Sequence, residues 1–182
     1  TRQEPLGETG LFIVDSVSLY AWTWAWALAI QPDLRNAVAH PSFTRWGDRI
    51  SRVPVWNDGN SFVTNNIFHP LAGAFYYQYM RARNHPRWLS ATETFLQRVL
   101  FEYTIEGQYT IPSAQDMVKT TGLGVLLGFL MDELSRKWLR SESKKKKIAG
   151  YALNPMYLLP WARWEPDSNR EAAVGMHFVM EF

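Results

Sequence analysis

The residues best suited to chemistry lie in the middle of the chain. His69 precedes Pro70, Glu102 and Glu106 stand four apart, and Asp116 follows Ser113 by three. Upstream, Asp58 and Asn60 sit in the turn sequence Asn57-Asp58-Gly59-Asn60, with Asn65 and Asn66 just beyond. A histidine beside carboxylates acts as a general base, and nitrogen and oxygen donors together can hold a divalent metal. Asp and Asn in a turn add oxygen ligands or hydrogen-bond a substrate. Each residue also has a structural reading. A histidine before proline can cap a helix, the asparagines can satisfy turn backbone, and Ser113 fits an N-cap. Glu102 and Glu106 repel unless a cation or donor lies between them. His40, His69 and His85 all precede proline, a recurrence that favours capping over ligation. The catalytic candidates are therefore His69, Glu102, Glu106 and Asp116. Asp58, Asn60, Asn65 and Asn66 are the ligand-binding candidates, and no metal site or cofactor is assigned.

Convergence of this set depends on how the helices pair. Pro70 is well placed to open a helix, which the sequence extends to His85. Pro86 begins another, where Leu89, Thr92, Phe95, Leu96, Val99, Leu100 and Tyr103 form a stripe at helical period. Packed antiparallel, these two bring His69 to Glu102 and Glu106. Ser113-x-x-Asp116 has capping-box spacing and opens a further helix. In that helix Gly124-x-x-x-Gly128 permits close approach of another backbone. The apolar run between Lys119 and Asp132 is too short to span a bilayer, so it reads as a core helix.

Residues 11–30 are apolar apart from Asp15 and a few hydroxyls. Bulky rings alternate there as in a strand, but Ala21, Ala25 and Ala29 keep helical spacing. Alanine content and length favour a helix, the only candidate membrane span, and Asp15 favours one buried or skimming the membrane. Toward the C-terminus, residues 148–163 and 170–182 flank a turn, and Met176, Phe178, Met180 and Phe182 alternate with other residues. The expected fold is mainly α: one domain over 1–182, a bundle of four to five helices over 1–143, and an antiparallel β-hairpin over 148–182.

Composition narrows the function classes. A net charge of +2 is too small for a nucleic-acid partner, and the absence of Cys removes disulfides and zinc–thiolate sites. Lys144–Lys147 form the one basic run, read as the solvated end of a helix or a contact to anionic headgroups. Nine Trp, eight Tyr and ten Phe exceed what a core of this size needs, which points to lipid, a protein partner or an apolar ligand. The opening Thr1-Arg2-Gln3 without Met reads as a processed or truncated product.

Asp58-Gly59-Asn60, Asn65-Asn66, His69-Pro70-x-x-Gly73, Tyr76-Tyr77, Glu102 with Glu106, and Pro112-Ser113-x-x-Asp116 together resemble a bacterial envelope family catalogued as domain of unknown function 3943, over about residues 54–135. The family's usual Trp-Glu stands here as Phe101-Glu102, and an expected Gly-Glu as Gly128-Phe129. The resemblance implies an envelope location and no particular activity. The resulting expectation is a non-enzymatic bacterial envelope protein on the periplasmic side or outer membrane, with a membrane or envelope protein partner. Oligomerisation would use the C-terminal hairpin, whose Phe182 ending resembles a last barrel strand. The alternative is an envelope enzyme or metal-binding protein acting on a lipid-like substrate through the His/Glu/Asp cluster. A weaker third reading is a membrane-embedded subunit anchored by residues 11–30.

Overall fold

The structure, a computed structural model, describes residues 8–164. They form seven α-helices: α1 (Glu8–Ile30), α2 (Pro32–Ala39), α3 (Phe43–Ile50), α4 (His69–Ala82), α5 (Arg87–Leu100), α6 (Ala114–Leu139) and α7 (Lys144–Leu153). A wider π turn (Thr64–Phe68) leads directly into α4, and α5 continues through a second one (Phe101–Ile105) into a 3-10 turn (Glu106–Gln108). Four rods result, from α1, 62–82, 87–108 and α6, each about 30 Å or longer at 1.5 Å rise per residue. The rods of α1 and α5 run one way, and those of α4 and α6 run the other.

Glycine sets the closest crossing. A Cβ on Gly73 would lie 1.9 Å from the Thr120 carbonyl oxygen, and one on Gly124 would lie 2.7 Å from the Gly73 Cα. Gly128 likewise faces Ala74 and Tyr77. The close approach expected of Gly124 and Gly128 is thus made, with α4 as the partner.

The interior of this bundle is rich in polar groups on three rods, while α4 turns mainly Ala74, Tyr76, Tyr77, Met80 and Ala82 inward. The inward residues of α1 are Asp15, Leu19, Thr23 and Ala27, and those of α5 are Ser90, Glu93, Thr94, Gln97 and Arg98. In α6 they are Asp116, Thr120, Gly124, Gly128, Asp132, Ser135 and Leu139. The apolar residues face outward instead: Val17, Trp22 and Trp26 on α1, Phe95, Leu96 and Leu100 on α5, and Leu123, Leu126, Leu130 and Leu134 on α6. Buried apolar clusters are small, one around Leu34, Phe101 and Ile105 and another around Leu19, Tyr76 and Met80.

Three expectations are corrected. The first arm of the proposed hairpin is not a strand: residues to Leu153 belong to α7, and Pro155–Leu158 form a 3-10 turn. Its backbone is held in that form because Gly150 packs on Leu139 and its carbonyl accepts from the Ser135 hydroxyl. The second arm lies outside the described residues, no strand occurs among those described, and the hairpin route to an oligomer goes with its first arm. The stripe on α5 is real but inverted, since Phe95, Leu96 and Leu100 are exposed. Period locates a face and does not say what the face meets. Likewise α6 is no simple core helix: it runs 26 residues with an apolar outer side.

Candidate functional site

One end of the bundle gathers the start of α4, the end of the α5 rod and the start of α6. Both π turns lie here. Pro70 has no N–H for the helix ladder, and the wider turn before it lets the helix run on without a break. His69 consequently sits inside a continuous helix and does not cap one. The second π turn carries Glu102. Glu106 follows four residues on at the start of the 3-10 turn, and both carboxyl groups project toward the same guanidinium.

Arg98 stands one turn before Glu102 and fills the centre. Its Nη2 bonds Glu102 Oε1, and lies 3.1 Å from Glu106 Oε2 and 3.3 Å from Asp116 Oδ2. His69 Nδ1 is 3.0 Å from Asp116 Oδ1. The Ser113 backbone N–H donates to Glu102 Oε2 at 2.7 Å, while its hydroxyl accepts from the Asp116 N–H at 3.3 Å as the N-cap of α6. Glu102 and Asp116 are fully buried, with Glu106, Arg98 and His69 nearly so. The four catalytic candidates therefore do converge.

Their setting is closed. Backbone pairing of Val55 with Pro112 and Ala114 lays the 53–60 loop against the start of α6. Within that loop Asp58 accepts from the Asn60 N–H at 3.1 Å. Burial pushes the Asp58 carboxyl above its ordinary range, and the negative charges of Asp116 and Glu106 push it further. Asn65 is buried beside the loop, its amide 3.5 Å from the Asn60 carbonyl. Asn66 turns away, donating to the Phe62 carbonyl and accepting from Lys119 Nζ at 2.9 Å. A shallow cleft of about 230 Å³ lined by Asp33, His40, Arg45 and Tyr109 includes none of the cluster.

The carboxylates of Glu102, Glu106 and Asp116 offer oxygens within 4.8 Å of one another, a spacing a divalent ion could use. The Arg98 guanidinium already occupies that position, and a second cation there would face it at contact distance. What the arrangement does well is join the α5 rod to α6 through the Arg98 cation, with α4 tied on by the His69–Asp116 contact. Asp116 can also fix the His69 ring in one orientation, as a general base requires, and both residues are buried among the described residues.

A second ionic cluster, missed at the sequence level, closes the opposite end. Asp15 pairs with Arg83 at 2.7 Å and His85 at 2.8 Å, tying α1 to α4. Asp132 pairs with Arg81 at 3.1 Å and Arg136 at 2.9 Å, and accepts from Asn154 and Tyr157. Of the three histidines before proline, only His40 lies at a helix end without an acid partner, its ring against the Asn36 carbonyl. His69 and His85 each meet a buried carboxylate. Arg98 was also overlooked, although its spacing of four and eight from Glu102 and Glu106 was visible.

Compared with known protein families, residues 54–156 match the family described as Domain of unknown function (DUF3943), more than half of the chain. The match takes in both ionic clusters except for Asp15 and Tyr157, together with α4 to α7. No curated protein and no solved structure matches.

Proposed function

This chain belongs to the DUF3943 family, and from that premise we propose that it is a non-enzymatic, membrane-embedded protein of the bacterial envelope. The observation that carries the reading is the inverted polarity of the bundle: ionic groups inside, apolar side chains outside. In water, apolar groups gain by burial and charges lose by it, so this distribution opposes folding there. In a bilayer core, about 30 Å thick, the signs reverse. Lipid then meets Leu, Trp and Phe, and rare charged groups face the bundle interior in pairs, as they do here. The exposed side of α1 from Gly10 to Ile30 carries no charged residue, and Trp22 and Trp26 are 65% and 58% exposed. Among the described residues α1 is the one helix whose length and hydropathy suit a span. Its Asp15 does not oppose that reading, being buried against Arg83 and His85 and turned away from the outer face.

Backbone satisfaction supports the same reading. All four rods are helical, the form whose hydrogen bonds are met within the segment. The finer expectation of an outer-membrane location leaned on the aromatic surplus and on the Phe182 ending, which lies outside the described residues. The family resemblance still favours the envelope, and the ionic clusters serve as interior struts. An enzymatic role has the His69–Asp116 pair in its favour and the closed setting against it.

Alkaline carbonate extraction tests the proposal. Membranes from cells expressing the chain should retain it through carbonate and high salt and release it in detergent. Recovery as a monodisperse species in detergent-free buffer would refute it, as would an apolar surface covered by a second copy or another protein in such a species.

A further inference from the structure

The outer face of α6 changes character toward its end. Leu123, Leu126, Leu130 and Leu134 give way to Lys137 and Arg140, and α7 then opens with Lys144–Lys147, all four exposed. Four lysines in a first turn are electrostatically misplaced, because the N-terminus of a helix is already its positive end. Ser143 stands at the N-cap without a side-chain hydrogen bond, so the orphan N–H groups share that positive field. Glu142 is the one acid beside this group in the sequence. An arrangement that repels itself in isolation becomes favourable against a sheet of anions. Exposed apolar side chains follow within the same strap: Ile148 at 69%, Leu158 at 64% and Trp161 at 50%. The carbonyl of Trp161 is held by the Arg83 guanidinium, which fixes the strap across the end of α4. A free phosphate would use the lysines and leave the ring and aliphatic groups in water. A bilayer surface uses both, with cations at the phosphates and Trp at the acyl boundary.

We infer that this end of the molecule, from Lys144–Lys147 to Trp161, seats in a headgroup layer rich in anionic phospholipid. The inference rests on the membrane-embedded reading and names the lipid class and the end that meets it. Each juxtamembrane lysine strengthens partitioning to such a surface about fivefold, so four together change it by several hundredfold.

The test uses the full chain, whose lack of native Cys permits a single dye at Ser143→Cys. The labelled protein is reconstituted in vesicles of phosphatidylcholine alone or with about one-third phosphatidylglycerol, each carrying a headgroup nitroxide quencher. Flotation reports embedding and quenching reports docking. The expected result is flotation with both vesicles and strong quenching only with phosphatidylglycerol. Replacing all four lysines (Lys144, Lys145, Lys146 and Lys147→Gln) should abolish that quenching and leave flotation intact. Equal quenching in both vesicle types overturns the inference while embedding stands, as does quenching that survives the glutamines. Flotation with phosphatidylglycerol alone, reversed by salt, supports docking and overturns embedding. Failure to float with either overturns both.

Discussion

The crossing of α4 and α6 allows a sharp test of how the fold builds the site. In Gly73→Ala the new Cβ would stand 1.9 Å from the Thr120 carbonyl oxygen, 2.9 Å from its carbon and 3.1 Å from the Gly124 Cα. These are backbone atoms of a packed helix, so no side chain can swing aside. Ordinary contact begins near 3.4 Å, and the helices must part by about 1.5 Å. His69 lies one turn before Gly73 and Asp116 one turn before Thr120. The same separation therefore stretches the 3.0 Å His69–Asp116 contact to about 4.5 Å, beyond ion-pair range. Overpacking costs about 1–3 kcal/mol, and disturbing a buried pair adds to it. A loss of about 3–5 kcal/mol should lower the melting temperature by roughly 10 °C in a chain of this size. Gly122 is the internal control, since a Cβ there meets nothing within 4 Å, and Gly122→Ala should gain up to about 1 kcal/mol from helix propensity. Circular dichroism melts of both variants in the same detergent make the comparison. A Gly73→Ala variant melting within a degree of wild type would refute the reasoning.

Burial pushes the Glu102 carboxyl up to about 9, so it is held as the neutral acid. Arg98→Leu leaves the buried Glu106 and Asp116 without their shared cation and should cost about 3–5 kcal/mol, whereas Glu102→Gln keeps an acceptor for the Ser113 N–H and should stay within about 1 kcal/mol; denaturation of the two in detergent separates them. Asp15→Asn removes the partner of Arg83 and His85, and hydrogen exchange should show α1 opening before the rest of the bundle; uniform loss of protection would contradict that. Asp58 has its carboxyl raised above 3.8 by burial and by Asp116 and Glu106. The folded state therefore holds this proton more tightly than the unfolded one. Its contribution is complete below the ordinary carboxylate value and is lost as pH rises through the raised one. Asp58→Asn should flatten that part of the stability–pH curve, and an unchanged slope would show that the 53–60 loop stands clear of the cluster.

Much of the helical outline was legible in the sequence. The alanine spacing of α1 indicated a helix rightly but named the wrong face: Ala21, Ala25 and Ala29 are exposed beside Trp22 and Trp26, while Leu19, Thr23 and Ala27 form the packed side. Convergence of His69, Glu102, Glu106 and Asp116 followed from antiparallel packing of α4 and α5. What the sequence withheld was direction. The period of α5 identifies two faces, and the assumption that the apolar one turns inward holds only for a chain in water. With that assumption removed, Glu93, Gln97 and Arg98 read as the interior and the surplus of aromatic rings becomes an outer surface. The first hairpin arm was misread because short apolar runs near Pro155 and Pro160 suit a strand locally. In the fold the arm is α7, which packs on α6 where Gly150 meets Leu139 and Ser135, a tertiary contact that strand-like patterning does not show.

The account stands or falls on what touches the outer faces of the rods. Single nitroxide labels at Trp22→Cys, Leu96→Cys and Leu126→Cys, in a chain without other cysteines, can be read by electron paramagnetic resonance in reconstituted vesicles. Each label should collide often with dissolved oxygen, which concentrates in the acyl layer, and rarely with a water-soluble nickel chelate. Comparable access of the chelate to all three sites would put those faces in water and contradict the central claim.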